Sequence, residues 1–287
     1  MIKNKISIFY LSIILTSITF LISLASLLYQ DIYTKRINQI THYELMGQDL
    51  VTLVVSSLFL LVIYFMDYNK IKTKIIWLGC LMYIFYIYAY FSFGGITSVF
   101  YILYLAIAGL SLFLFFALII DIARKNMTLN IIDSYPRKTI SIYFIISILI
   151  VTFIELSELI SKTILLQGEL NPYYVFYVLD LSFIFPFIII IAILNYKKVC
   201  WGFLLSGVAL IKIITILPAV IFNDIFYRIY TGKFIDLGFD VIASVITIIG
   251  AIVLYFYLRS IDNNETSGTS HNMGFKLRCR ANIKTYL

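Results

Sequence analysis

Six ionisable residues stand in stretches otherwise almost free of charge: Asp49, Glu155, Glu158, Asp180, Lys212 and Asp240. At membrane depth such a side chain is costly unless it is paired or wet, so each marks a candidate site. Lys212 in "GVALIKIITILP" lies about 11 residues from the start of its apolar run, ~17 Å into a hydrocarbon core at ~1.5 Å per residue. Asp180 in "YVLDLSFIFP" lies about six residues, ~9 Å, from the opposite surface. Their depths differ by only ~4 Å across a ~30 Å core, a gap that a flexible lysine covers. A Lys212–Asp180 ion pair between adjacent helices is therefore expected.

The other acids share the outer half. Glu155 and Glu158 are three apart and lie on one face with Thr152. Asp49 heads a polar face with Thr52 and Ser56, and Asp240 one with Ala243 and Thr247. The chemistry on offer is cation or amine binding by clustered carboxylates. Each acid near a helix end is equally readable as a hydrated interfacial residue. Pro186, one turn beyond Ser182, removes a backbone donor close to Asp180, which either frees an acceptor or only kinks the helix.

Tyrosines accompany the acids. "WLGCLMYIFYIYAYFSFGG", residues 77 to 95, has four tyrosines between 83 and 90 and no charge. Tyr83, Tyr86 and Tyr90, spaced by three and four, share a helix face. Tyr90 and Tyr101 suit an aromatic belt at the membrane edge. Tyr83 and Tyr86 are too deep for a belt, and their hydroxyls need partners, which the acids supply.

These residues need elements to hold them, and composition decides which. Of 287 residues, 62% are hydrophobic and 13% charged, against about 45–50% and about 25% in soluble domains. Eight stretches can cross a bilayer, at about 6–29, 47–66, 75–93, 98–120, 139–161, 174–195, 201–222 and 237–258. Lipid leaves backbone groups unsatisfied, so each must be helix, and the pattern is not that of a barrel. The expected fold class is an all-α polytopic membrane bundle over residues 1–259, with a polar, unstructured tail at 260–287.

Sixteen of the 22 Lys and Arg residues fall on the side of the N-terminus if the stretches alternate, five fall on the other, and Lys212 is within a helix. By the positive-inside rule the N- and C-termini are then cytoplasmic in a cell membrane. The net charge of +7 is spent on topology and on anionic lipid, so no nucleic-acid partner is expected.

The first stretch has a basic start and "SLAS", as a secretory signal might, but its apolar run exceeds the 7–15 residues of a signal core. Ser12, Thr16, Thr19, Ser23 and Ser26 draw one Ser/Thr stripe along it, which suits a retained helix that packs closely. "FSFGG" and "NYKKVC" read as short hairpin connections. Residues 223–236 carry Ile225, Phe226 and Ile229 on one helical face, consistent with a segment lying along the outer interface. Two four-helix halves would permit a parallel repeat, but no self-similarity supports one.

Cys80, Cys200 and Cys279 fall near the side assigned to the cytoplasm, so no disulfide is expected. With only two histidines and no metal-ligand spacing, no metal or other cofactor is expected. No HExxH, GxSxG, phosphate-binding or dinucleotide motif occurs, which argues against an enzyme without deciding the point.

"WLGCLMYIFYIYAYFSFG", "VLDLSFIFP" and "WGFLLSGVALIK" resemble a loose group of uncharacterised prokaryotic multi-spanning membrane proteins, over about residues 44 to 215. That resemblance implies a membrane helix bundle and no activity. The residues themselves suggest a permease or transporter-like protein with an outward-facing polar cavity for a small polar, possibly cationic solute. Asp180 and Lys212 would form its central pair, with Glu155, Glu158, Asp49, Asp240, Tyr83 and Tyr86 as lining. The alternatives are an intramembrane enzyme acting on a lipid or lipid-linked substrate, and an assembly protein whose polar faces are consumed in packing.

Overall fold

The computed structural model describes residues 2–29, 32, 39–96, 98–125, 128–131, 135–164, 174–232, 237–262 and 275–278. Helices α1 (Ile2–Leu28), α2 (Gln39–Phe65), α3 (Ile71–Phe93) and α4 (Tyr101–Arg124) form the first half of the bundle. The second half is α5 (Arg137–Thr163), the broken helix α6 (Tyr174–Leu179) and α7 (Phe185–Tyr196), then α8 (Cys200–Thr231) and α9 (Leu237–Arg259). Counting α6 and α7 as one span, Tyr174–Tyr196, eight helices among the described residues are long and apolar enough to cross a membrane. Their outward faces are apolar, as at Ile102, Leu149, Phe153 and Ile248, and hydrophobic side chains left exposed in this way need lipid around them.

Helix α3 is the axis of the bundle. It packs against α2, α4 and α8, and 83% of its span is buried, the highest share of the eight. A helix that is apolar on every side belongs in such a position. Small residues let its neighbours approach: a Cβ on Gly79 would lie 2.6 Å from Ile211 Cβ of α8. All five residues of the α1 Ser/Thr stripe are buried, and Ser12 accepts a 3.0 Å hydrogen bond from the Trp77 indole of α3.

Between α6 and α7 the helix widens into one π turn, Asp180–Ile184, where the Phe185 N–H bonds to the Asp180 carbonyl. Pro186 follows at once and has no N–H for the carbonyl of Ser182. The chain absorbs the missing donor by changing register rather than by ending the helix, and such π turns recur at functional sites.

Residues 223–231 do not form a separate interfacial segment. They continue α8, which runs through Pro218 without ending and is closed by Gly232 at φ 72°. At the end of the bundle that holds the N-terminus, β1 (Thr128–Ile131) pairs antiparallel with β2 (Ile261–Asp262) and β3 (Phe275–Arg278), in the order β2-β1-β3. Ile131 stands opposite both Ile261 and Phe275. The rest of the tail from residue 263 lies outside the described residues.

A second ion cluster sits at this same end. Lys74 of α3 is fully buried and meets Asp121 of α4 at 2.6 Å, and Lys125 meets the same carboxylate at 2.9 Å. Tyr68 donates to Asp121 at 3.3 Å, with Lys74 4.8 Å from the centre of its ring. Against the expectation of reduced thiols, Cys200 is disulfide-bonded, while Cys80 is free and buried. Cys279 lies outside the described residues.

Candidate functional site

A cavity of about 570 Å³ lies between α5, the α6–α7 helix, α8 and α9. It is backed by α3 through Tyr86. Its lining reaches the end of the bundle opposite the N-terminus, here called its mouth, where α5 ends, α6 begins, α8 ends and α9 begins.

The centre is a compact group of charges. Lys212 Nζ lies 3.5 Å from Asp180 Oδ1, and the Tyr86 hydroxyl donates to Asp180 Oδ2 at 2.7 Å. Lys212 also sits over the Tyr86 ring, 4.1 Å from its centre. The ion pair expected from matched depth is thus formed, with a tyrosine completing a triangle. Both members are nearly buried, with side chains 6% and 11% exposed, yet both line the cavity.

Glu155 of α5 joins this group. It is 8% exposed, it lies beside Asp180 and Lys212, and its Oε2 has no hydrogen-bond partner. An ionisable oxygen buried without a partner is costly, and a bound ligand is one way to satisfy it.

Nearer the mouth, Glu158 is paired with Lys162 and accepts a hydrogen bond from Tyr177. Asp224 of α8 and Asp240 of α9 complete this polar rim. Phe176 forms part of the wall, stacked on Tyr90 at 3.8 Å between ring centres and on Tyr86 at 5.8 Å.

Six of the eight residues singled out in the sequence are brought to this cavity: Asp180, Lys212, Glu155, Glu158, Asp240 and Tyr86. Asp49 and Tyr83 are not. Tyr83 turns to α2, where its hydroxyl and that of Thr52 are 2.9 Å apart. Asp49 is buried on α2, within electrostatic reach of Tyr83 and Tyr88. The reason is the central place of α3. Residues on different sides of this helix are all interior, but they look into different compartments.

Sequence reading missed Asp224, Tyr177 and Phe176. Asp224 was hidden by the assignment of 223–236 to the interface. The spacing of Glu158 and Lys162, four apart on α5, was a signal for the rim pair. Nothing in the local sequence points to Phe176.

The arrangement can hold a cation. Two carboxylates and one lysine meet at the centre, and the group is enclosed by apolar side chains that strengthen electrostatic attraction. Among the described residues no group of three or more His, Cys, Asp or Glu could hold a metal ion. No family model matches the chain, and neither a curated protein nor a solved structure is similar to it, so its eight spanning helices alone place it, as a multi-pass membrane protein.

Proposed function

We propose that the chain is a permease or solute-binding protein that takes a small cationic solute into this cavity. Asp180 and Glu155 would supply the charge, Lys212 and Tyr86 would hold Asp180 in place, and Glu158 and Asp240 would form the entrance. The observation that carries this reading is Glu155, a buried carboxyl group on the cavity wall with an oxygen left without a partner. What sets it apart from other buried oxygens without partners, such as those of Ser23, Gln48 and Thr73, is that it borders the cavity, where a ligand can reach it.

The cavity faces outward in this reading, with both termini cytoplasmic in the cell membrane. The support is the distribution of Lys and Arg, sixteen on the N-terminal side against five on the other.

The test is uptake into proteoliposomes of labelled metal cations, small amines, polyamines and amino acids, with Asp180→Asn and Glu155→Gln as comparisons. Cation or amine uptake that both substitutions depress at least tenfold is expected. Preferred uptake of an anion, or uptake indifferent to both substitutions, would overturn the proposal.

A further inference from the structure

The cavity continues past its charged centre. Following α5 away from the mouth, Val151, Ile148 and Ser147 line it, the last about eight residues, or ~12 Å, beyond Glu155. Along α7, Ile184, Phe185 and Ile188 do the same, and Ile188 is also about eight residues, ~12 Å, beyond Asp180. Ile246 of α9 closes the third side. One turn beyond Ser147, the Tyr143 hydroxyl donates to the Ile246 carbonyl at 3.0 Å and so ties α5 to α9. Gly250 admits the Tyr143 ring there, since a Cβ on it would lie 2.5 Å from the hydroxyl oxygen.

Beneath the charged tier the lining is apolar apart from Ser147, while Ile213, Ile216, Leu217 and Val220 of α8 line the side toward the rim. A hydrated inorganic ion gains nothing from the lower chamber, having no apolar surface to bury, and a polyamine would have to bury a second charged nitrogen there. A metal ion would also want six or more oxygen ligands, which two carboxylates and a tyrosine already bonded to one of them do not provide. An ammonium group, with up to three donors, suits the unpartnered oxygen of Glu155 and the carboxylate of Asp180.

We infer that the ligand is a monovalent amine carrying an apolar body, seated with its nitrogen at Glu155 and Asp180 and its hydrocarbon in the chamber between α5, α7 and α9. This rests on the cationic-solute reading above and names the substrate class for the same site. The charged tier selects the head, and the chamber selects the length and shape of the body.

The test is calorimetric binding of a homologous series, methylamine to hexylamine, to the full chain in nanodiscs, with empty nanodiscs subtracted. Burying each methylene should raise affinity roughly fourfold until the chamber is filled. Carboxylates of matched length should not bind, and Glu155→Gln should weaken every amine at least tenfold. Val151→Phe, which narrows the chamber, should flatten the dependence on length.

Equal binding of methylamine and hexylamine by the unaltered protein would overturn this inference and leave the cationic site standing. No binding of any amine would overturn this inference, and indifference of the amines to Glu155→Gln would overturn both. The homologous series on the unaltered chain decides the matter even if Val151→Phe does not fold.

Discussion

Lys212 lies over the face of the Tyr86 ring, 4.1 Å from its centre, while the hydroxyl of that tyrosine holds the carboxylate that Lys212 also faces. One side chain thus supports both members of the ion pair, through its ring for one and its edge for the other. Tyr86→Phe keeps the ring and removes the bond to Asp180. It should cost about 1.5–3 kcal/mol, the range for a hydrogen bond to a charged group. Tyr86→Leu removes both supports and should cost more, measured by SDS-driven unfolding in mixed micelles. Equal costs would mean that the ring contributes nothing to holding Lys212.

Breaking the pair should be unequal. Lys212→Ala leaves Asp180 and Glu155 together without a cation, whereas Asp180→Ala leaves Lys212 with Glu155 as a second partner. The lysine substitution should cost about 3 kcal/mol, at the low end for a broken buried pair because the survivors border a cavity. The aspartate substitution should cost less, and the double variant less than the sum. Strict additivity in this double-mutant cycle would show that the two groups do not interact.

The cluster at the other end of the bundle predicts the opposite asymmetry. Asp121 holds two lysines, so Lys74→Met still leaves it paired with Lys125. Asp121→Asn instead strands the fully buried Lys74 and should cost about 3–5 kcal/mol. Burial, and then the charge of Asp121, push the Tyr68 hydroxyl above the ordinary tyrosine range, so it stays a neutral donor at physiological pH and cannot replace the lost anion. Unfolding measurements that rank Lys74→Met as the worse variant would contradict this account.

Two glycines should respond oppositely to alanine. At Gly202 of α8 a Cβ would lie 2.3 Å from the backbone nitrogen of Asn195, which cannot yield without moving α7. Gly202→Ala should cost roughly 1–3 kcal/mol by overpacking. At Gly109 of α4 nothing lies within 4 Å of the added carbon, and Gly109→Ala should be neutral or gain up to ~1 kcal/mol from helix propensity. Thermal unfolding in detergent would compare the two, and equal loss at both positions would mean that α7 and α8 are not packed this closely.

The proposed orientation is checked by labelling in intact cells with an impermeant thiol reagent on a cysteine-free background. Thr231→Cys, exposed at the mouth end, should react. Asn69→Cys, exposed in the turn before α3, should not. The reverse pattern would invert the bundle and place the cavity mouth in the cytoplasm.

Much of this was legible in the chain. Hydropathy located all eight spans, because lipid constrains length and polarity more tightly than water does. Lys212 and Asp180 could be paired because depth in a membrane is a coordinate that sequence position measures directly. Azimuth is not so measured. Tyr83 and Tyr86 are three residues apart on one helix, and only the neighbours of α3 decide that one meets Thr52 and the other Asp180. The strand at Phe275–Arg278 was illegible for a related reason, since its partner at Thr128–Ile131 lies far away in sequence. The buried Lys74 was counted only as a cytoplasmic charge, because a lysine in the first turn of a span reads as interfacial until a partner on another helix is seen.

The enclosure of α3 bears on how the protein is made. Its span has the lowest mean hydropathy of the eight, 1.7, and the highest buried share, 83%. Tyr83 meets Thr52 of α2, already made, but Tyr86 and Lys74 would lack partners until Asp180 and Asp121 are in place. The last of the three main neighbours, α8, ends 138 residues after α3 does. At about 5–20 residues per second that is roughly 7–28 s of synthesis. For that interval the third helix is a poor lipid-facing segment waiting for its cage, and the nascent chain must be sheltered by α2 and α4 or by the insertion machinery until α8 emerges.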